Sequence, residues 1–408
     1  MDSRRSGRAP LAGPDHATIK NLINHHHHHR VLIMAPYMRG QPFRRLHFYL
    51  QTSQNDNQSS PDRSSSFHVP SLIFVGATGF IGGQLLHDIL KLKQYDVTAI
   101  VRDSERADKL HSKTGVKTVV ADLDSPNLAE IASRFDVVLH TAHADHVAGA
   151  KALVAGLEKR ADDSGSAKKP ILIHTSGTGV LIDMSEDPGN VKANKIYSDG
   201  DLSTYHALPA TNMHKNVDDI ILEGGRKGKI DAIIVAPPLI WGEGEGEFNT
   251  VSIQVPMLIK ATVEAGHGFL LEKGINTWNM IHVADLSDAY LTILDAALHR
   301  KLPSDPNGRV FFVENGEFEQ REVTAVVCKE LYERGKIDSP TPRPITMETE
   351  GNYQGPGGSR GIARMTGSNS RSRAVLVRKL GWEAKRGGKK EFLESIKVDV
   401  DNVLKNSA

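Results

Sequence analysis

From Ser71 onward, short apolar runs alternate with stretches whose apolar residues recur every three or four positions. Runs this short suit buried strands and the intervening spacing suits helices, so the alternation implies βα units built on a parallel sheet. The runs are SLIFV (71–75), DVTAIV (96–101), KTVVA (117–121), DVVLH (136–140), PILIHT (170–175) and DAIIVA (231–236). Six of them predict an α/β fold with one doubly wound parallel Rossmann sheet. Helices are expected over 80–92, 144–162 and 216–227.

After residue 236 the texture loosens, with Pro237-Pro238, the alternation from Gly242 to Glu247, and a Gly/Ser/Arg-rich stretch over 348–373. These read as loops around a cleft, closed by a C-terminal helix over 390–404 that buries Phe392, Leu393, Ile396, Val400 and Val403. The expected organisation is a Rossmann domain over 68–236, then a smaller C-terminal substrate lobe with the remaining Rossmann elements over 237–408. Residues 1–67 are polar, aperiodic and carry the run His25 to His29, which predicts a disordered tail.

Charge narrows the partners. Lys+Arg number 50 against 49 Asp+Glu, a net charge of +1, which provides no field to attract nucleic acid or an acidic membrane. No apolar run reaches the ~18 residues of a membrane span, so a small-molecule substrate is expected, with neither nucleic acid nor membrane as partner. The single Cys328 excludes an intrachain disulfide and fits a reducing, cytoplasmic setting. No metal is expected, because Glu243, Glu245 and Glu247 alternate without a histidine partner and read as a solvated lid.

Directly after the first run stands GATGFIGG, which places Gly76, Gly79 and Gly82 in GxxGxxG spacing at a strand-to-helix junction. Gly76 permits a tight turn, Gly79 lets a pyrophosphate approach the backbone, and Gly82 allows close helix–strand packing. The helix start adds free N–H donors and a positive dipole end. Strand, triplet, helix and following strand together predict dinucleotide binding by Gly76, Ala77, Thr78, Gly79, Phe80, Ile81 and Gly82. At the end of the second strand, where an Asp would bond the ribose of NAD, the chain has Arg102, which favours the 2′-phosphate of NADP. The alternative is a solvated arginine paired with Asp103 or Glu105, which keeps NAD open.

GATGFIG resembles the cofactor signature of the extended and atypical short-chain dehydrogenase/reductases, the superfamily of nucleotide-sugar epimerases and cinnamoyl- or flavonoid-type reductases. Further matches follow in order to the C-terminus. Asp122-Leu123 resembles the pair that contacts adenine, and His140, Thr141 and Ala142 fall where that family lines the nicotinamide ribose. Thr175 and Ser176 in HTSGTGV resemble the active-site hydroxyl strand, HVADLSDAY (282–290) a late signature, and LGWEAK (380–385) the C-terminal segment. The resemblance implies an NAD(P)-dependent oxidoreductase and admits a homodimer.

One part of that pattern is missing. The family protonates its substrate from the tyrosine of YxxxK, whose lysine lowers the tyrosine's pKa. Anchoring on VDDIILEG (217–224) puts Ala210 at the tyrosine position and His214 at the lysine position. Replacement candidates are His214, Lys215, Tyr197 and Tyr205, with Thr175 and Ser176 as hydroxyl groups. A histidine suits proton transfer near neutral pH, although a helix start disfavours its imidazolium form. His282 and Asp285 are expected to shape a turn and cap a helix, and Trp241, Phe248, Met257 and Trp278 to line a pocket or fill core. Two readings stand, an NADPH-preferring carbonyl reductase without YxxxK or a catalytically silent cofactor-binding regulator resembling NmrA-like proteins; a related third, sugar-nucleotide epimerisation or dehydration using NAD transiently, needs the missing tyrosine.

Overall fold

The computed structural model describes residues 69–183, 187–352 and 362–406. The expected tail over 1–67, with its histidine run, lies outside them. Seven parallel strands build the central sheet: β1 (Ser71–Val75), β2 (Asp96–Val101), β3 (Lys117–Val120), β4 (Val137–His140), β5 (Ile171–Thr175), β6 (Asp231–Ala236) and β7 (Val310–Phe312). Their order is β7-β6-β5-β4-β1-β2-β3. β1 pairs with β2 on one side and β4 on the other, Val75 lying opposite both Ile100 and His140. The strand order therefore reverses between β1 and β4, and the loops leaving them diverge at the sheet's C-terminal edge, where doubly wound folds bind ligands.

β7 was not among the expected strands. It is three residues long, follows the Pro/Asp/Gly-rich turn before Val310, and returns from the C-terminal region to pair with β6. Helices α1 (Phe80–Leu92), α2 (Ser104–Thr114), α3 (Val147–Ser164), α4 (Lys215–Arg226) and α5 (Val283–Leu298) frame the sheet. Leu85, Ile89, Leu286 and Ile293 of α1 and α5 pack on one face. Leu153, Leu157, Val217 and Ile221 of α3 and α4 pack on the other. Helix α3 starts three residues later than expected because His146 caps it, its ring accepting from Gly149 N–H at 3.0 Å. Residues 143–145 are thereby left as loop.

A third core unites strands Leu239–Trp241, Thr277–His282 and Glu317–Glu319 with helices Gln254–Ala265, Gln320–Glu333 and Lys389–Asn406. The last helix buries Phe392, Ile396, Val400 and Val403 as its periodicity implies. The stretch expected to be loop over 348–373 is different at its end. Ser368, Asn369, Ser370 and Ser372 are all buried. Asn369 accepts from the N–H groups of Ala193 and Thr277 and donates to Val191 O, so its amide replaces missing sheet partners. Composition alone reads such a segment as loose, because side-chain polarity does not reveal what it bonds. Among the described residues, no helix is long and apolar enough to cross a membrane.

His282 does cap α5, its ring accepting from Ala284 N–H at 3.1 Å. Asp285 has a different role from the one expected. Fully buried, it accepts from the backbone N–H groups of Lys385 (3.0 Å) and Arg386 (2.9 Å) and from the Arg386 guanidinium (3.1 Å), while its carbonyl receives Trp382 Nε1. It thus fastens the LGWEAK segment to the start of α5. Removing one partner of a buried ion pair typically costs 3–5 kcal/mol, and Arg386 keeps Asp288 as a second partner. Asp285→Ala should therefore lower the urea unfolding free energy by about 3 kcal/mol; a loss below about 1 kcal/mol would contradict this role.

Candidate functional site

The loops leaving β1, β4 and β5 meet over a cleft of about 580 Å³. Gly76 has φ +99°, a conformation that L side chains rarely adopt, and a Cβ there would lie 2.7 Å from Ala142 N. A Cβ on Gly82 would lie 2.1 Å from Gly76 O and 2.5 Å from Thr141 Oγ1. The start of α1 is therefore seated directly on the two loops, with bare backbone between. Gly79, at its N-cap, provides no side-chain cap, and the first turn has no acidic residue. Its first-turn N–H groups thus lack intrahelical partners and suit an anionic group such as a pyrophosphate. The glycine cradle fits a dinucleotide.

Of the residues singled out from sequence, Gly79, Phe80, Ile81, Thr141, Ala142, Thr175, Ser176 and His214 line the cleft. Ala77 is buried and Thr78 half-buried in the turn below them. Arg102 is exposed at the end of β2; its neighbour Asp103 caps α2 through Arg106 N–H (2.8 Å) and pairs with the Arg106 side chain (3.3 Å). Asp122 is exposed, and its carboxyl is held below the usual range first by the Ser125 hydroxyl at 2.8 Å. Leu123 packs on Gly149 at the start of α3.

His140 does not reach the cleft. It is buried, with Nδ1 2.8 Å from Nδ1 of the equally buried His174. Burial pushes His140 down to about 4 and His174 well below the ordinary histidine range, so both rings are neutral near pH 7. Lys215 also lies outside the lining. It is buried, bonds Asp219 at 2.5 Å one turn along α4, and sits 5.7 Å over the Tyr205 ring.

His214 is placed by strain. Its φ of +67° is left-handed for a non-glycine residue, a conformation costing of order 1–3 kcal/mol that its surroundings must hold. Asp145, in the loop before α3, accepts from both the His214 backbone N–H (3.0 Å) and ring Nδ1 (2.8 Å). The carboxylate fixes a proton on Nδ1. The other nitrogen faces the cleft wall: a Cβ on Gly177 or Gly179 would lie 3.2 Å from Nε2. Both glycines keep that path open.

The two hydroxyls are committed elsewhere. Thr175 Oγ1 is 2.5 Å from the hydroxyl of Tyr290, whose pKa burial raises. Ser176 Oγ donates to Asp218 Oδ2 at 2.9 Å, and the same oxygen accepts from Tyr205 at 2.7 Å. Asp218 is fully buried, and desolvation raises its carboxyl to about 7 despite these bonds. Its Oδ1 is unbonded, 3.9 Å from His174 Nε2. Asp145, Asp218, His174 and Tyr290 were not singled out from sequence as site residues. Only Asp145 had a local signal, as a carboxylate in the loop after a central strand.

Glu243, Glu245 and Glu247 are exposed, as a solvated loop implies, but the loop is tethered: the Glu245 N–H donates to Gln84 Oε1 (2.9 Å) and its carboxylate lies 3.1 Å from His87 Nε2 and 3.7 Å from Lys91 Nζ. Gly246 and Gly83 touch there, so the loop rests on α1. The histidine partner thought to be missing is thus His87, with Asp88 beside it, although Asp88 is bonded by Gln84 (2.9 Å) and Ser287 (2.7 Å). Of the four large side chains considered for a pocket, Trp278 lines the cleft. Trp241 packs in the core beside His282 and Phe392, and Met257 and Phe248 also pack against core.

Residues 76–237 match the family described as NAD(P)H-binding. Among curated proteins, the oxidase ucsJ of Acremonium sp. is 28% identical over 280 residues, covering 64% of this chain and 79% of that protein. An uncharacterized protein of Schizosaccharomyces pombe, C2A9.02, is 26% identical over 230 residues, covering 55% and 70%. Among solved structures, the Bacillus cereus UDP-glucuronic acid 4-epimerase in complex with UDP-glucuronic acid and NAD superposes with a TM-score of 0.54 at 13% identity, over 82% of this chain and 99% of that one. The Thermotoga maritima UDP-glucose 4-epimerase gives 0.52 at 14% identity, over 83% and 100%.

Asp218 provides a test of the buried network. A carboxyl whose folded pKa is raised stabilises fully below its unfolded value, near 3.9, and that contribution is lost as pH rises through about 7. Asp218→Asn, which can still accept from Ser176 and Tyr205, should gain melting temperature relative to the parent between pH 5 and pH 8. A difference independent of pH would contradict the raised pKa.

Proposed function

On an NAD(P)H-binding domain carried by the fold of the extended short-chain dehydrogenase/reductases, we propose that this chain is an NADPH-preferring oxidoreductase that reduces an aldehyde or ketone beside His214. The observation that carries the reading is the Asp145–His214 pair in the cleft lining, one ring nitrogen anchored at 2.8 Å and the other beside Gly177 and Gly179 of the same lining. The cofactor would be held by the Gly76–Gly79–Gly82 turn and the first N–H groups of α1, with Thr141 and Ala142 beside it, Asp122-Leu123 toward the adenine and Arg102 toward a 2′-phosphate. When bound, a reduced nicotinamide supplies the hydride.

The protein's share is the proton. As the carbonyl carbon gains hydride its oxygen becomes an alkoxide, and a positioned donor lowers that barrier. Thr175 shares its hydrogen with Tyr290 and Ser176 gives its own to Asp218, so toward the cleft Ser176 can only accept while that bond holds. His214 is left as the proton donor: with Nδ1–H held by Asp145, its imidazolium form gives up the Nε2 proton and leaves a neutral ring. Asp145 and Asp218 are positioning residues, the first holding the ring and the second orienting Ser176. The name of the Acremonium relative supports redox chemistry. A second reading, a silent cofactor-binding regulator, is favoured by the burial of Tyr205 and Lys215 together, away from the cleft lining.

NADPH consumption across a panel of aldehydes and ketones separates them. For a turned-over substrate, His214→Ala should lower kcat by roughly 10²–10⁴-fold with cofactor affinity unchanged, and Asp145→Asn should lower it less and alter the pH profile. NADPH binding with no turnover on any panel member would favour the regulator. Loss of the charge-assisted bond in Arg102→Ser should reduce the preference for NADPH over NADH by roughly ten- to a hundredfold in titration calorimetry. Equal affinities in the parent protein would refute the assignment of Arg102.

A further inference from the structure

We infer that the substrate part of this cleft takes an uncharged, predominantly apolar carbonyl compound rather than a nucleotide sugar or other phosphorylated molecule. This deepens the oxidoreductase reading by naming the class of compound the same site accepts. A diphosphate brings about two negative charges, and proteins meet such groups with Arg or Lys in charge-assisted bonds. Among the described residues lining the cleft, none is Lys, Arg, Asp or Glu, and His214 is the one titratable side chain.

Most of the cleft lining is apolar, with Asn249, Gln254 and several hydroxyls interspersed. Met213 and Ile253 line the cleft and are 51% and 65% exposed, an arrangement that keeps large apolar side chains in water where a ligand would cover them. Ile240 and Trp278 form the wall. Gln254, Trp278 and Met365 are shared with a small, mainly apolar pocket of about 30 Å³ that Leu258 and Phe318 also line. Polar recognition is confined to a few points: the hydroxyls of Thr178 and Ser252 are buried in the lining with no hydrogen-bond partner. Such orphaned hydroxyls suit one or two polar atoms of a mainly apolar ligand, because leaving them unpaired is costly.

The test uses the full chain, with and without saturating NADP⁺, and follows binding by saturation-transfer NMR. The probes are 2-acetylnaphthalene, 2-decanone and UDP-glucose. At least one ketone should bind saturably and resist displacement by excess UDP-glucose. Ile253→Arg, at an exposed position, should weaken that binding at least fivefold while leaving the thermal shift with NADPH unchanged. Failure of both ketones to bind, or their displacement by UDP-glucose, would overturn the inference. Ketone binding without any NADPH shift would instead remove the oxidoreductase reading and leave the specificity of the cleft standing.

Discussion

At the ends of β1 and β4 two backbone segments touch with no side chain between them, and much of the site's geometry follows from that contact. A single methyl group on Gly82 would overlap Gly76 O, and one on Gly76 would overlap the Thr141–Ala142 peptide. Because neither is present, α1 points its uncapped N-terminus into the switch point of the sheet. The same closeness lets Thr141 and Ala142 form one wall of the cleft. Gly246 against Gly83 repeats the device one residue later and seats the acidic loop on α1.

Elsewhere in the cleft lining, His214 rests on a polar network. His214 accepts a strained backbone so that one carboxylate, Asp145, can hold both its main chain and its ring. Behind it lies a buried chain of His140, His174, Asp218, Ser176 and Tyr205. Burial keeps the two histidines neutral and lifts Asp218 toward neutrality, so the interior carries little net charge near pH 7. That economy resolves the cost of placing so many polar groups under a ligand site.

Local features of the chain were readable. The six long strands, α1 and the glycine turn each write themselves within a dozen residues, through periodicity and φ-permissive glycines. What escaped is held together over long separations: His214 to Asp145 spans 69 positions, Ser176 to Asp218 spans 42, and Thr175 to Tyr290 spans 115. No local pattern marks such partners. β7 escaped because three apolar residues carry no period, and the buried Ser368–Ser372 segment because its polarity mimics a loop. His140 and Lys215 were placed near the ligand by position in a motif, but the neighbours that draw their side chains away, His174 and Asp219, show only in three dimensions.

If the bare-backbone contact at Gly82 forms a dinucleotide site continuous with His214, a thermal-shift titration of the full chain and of Gly82→Val with NADPH will show it. At one hundred times its dissociation constant the cofactor should stabilise the parent by about 2.7 kcal/mol. The variant, if circular dichroism shows it folded, should show no shift. An equal shift in both proteins, or none in the parent, would place the cofactor elsewhere or rule it out.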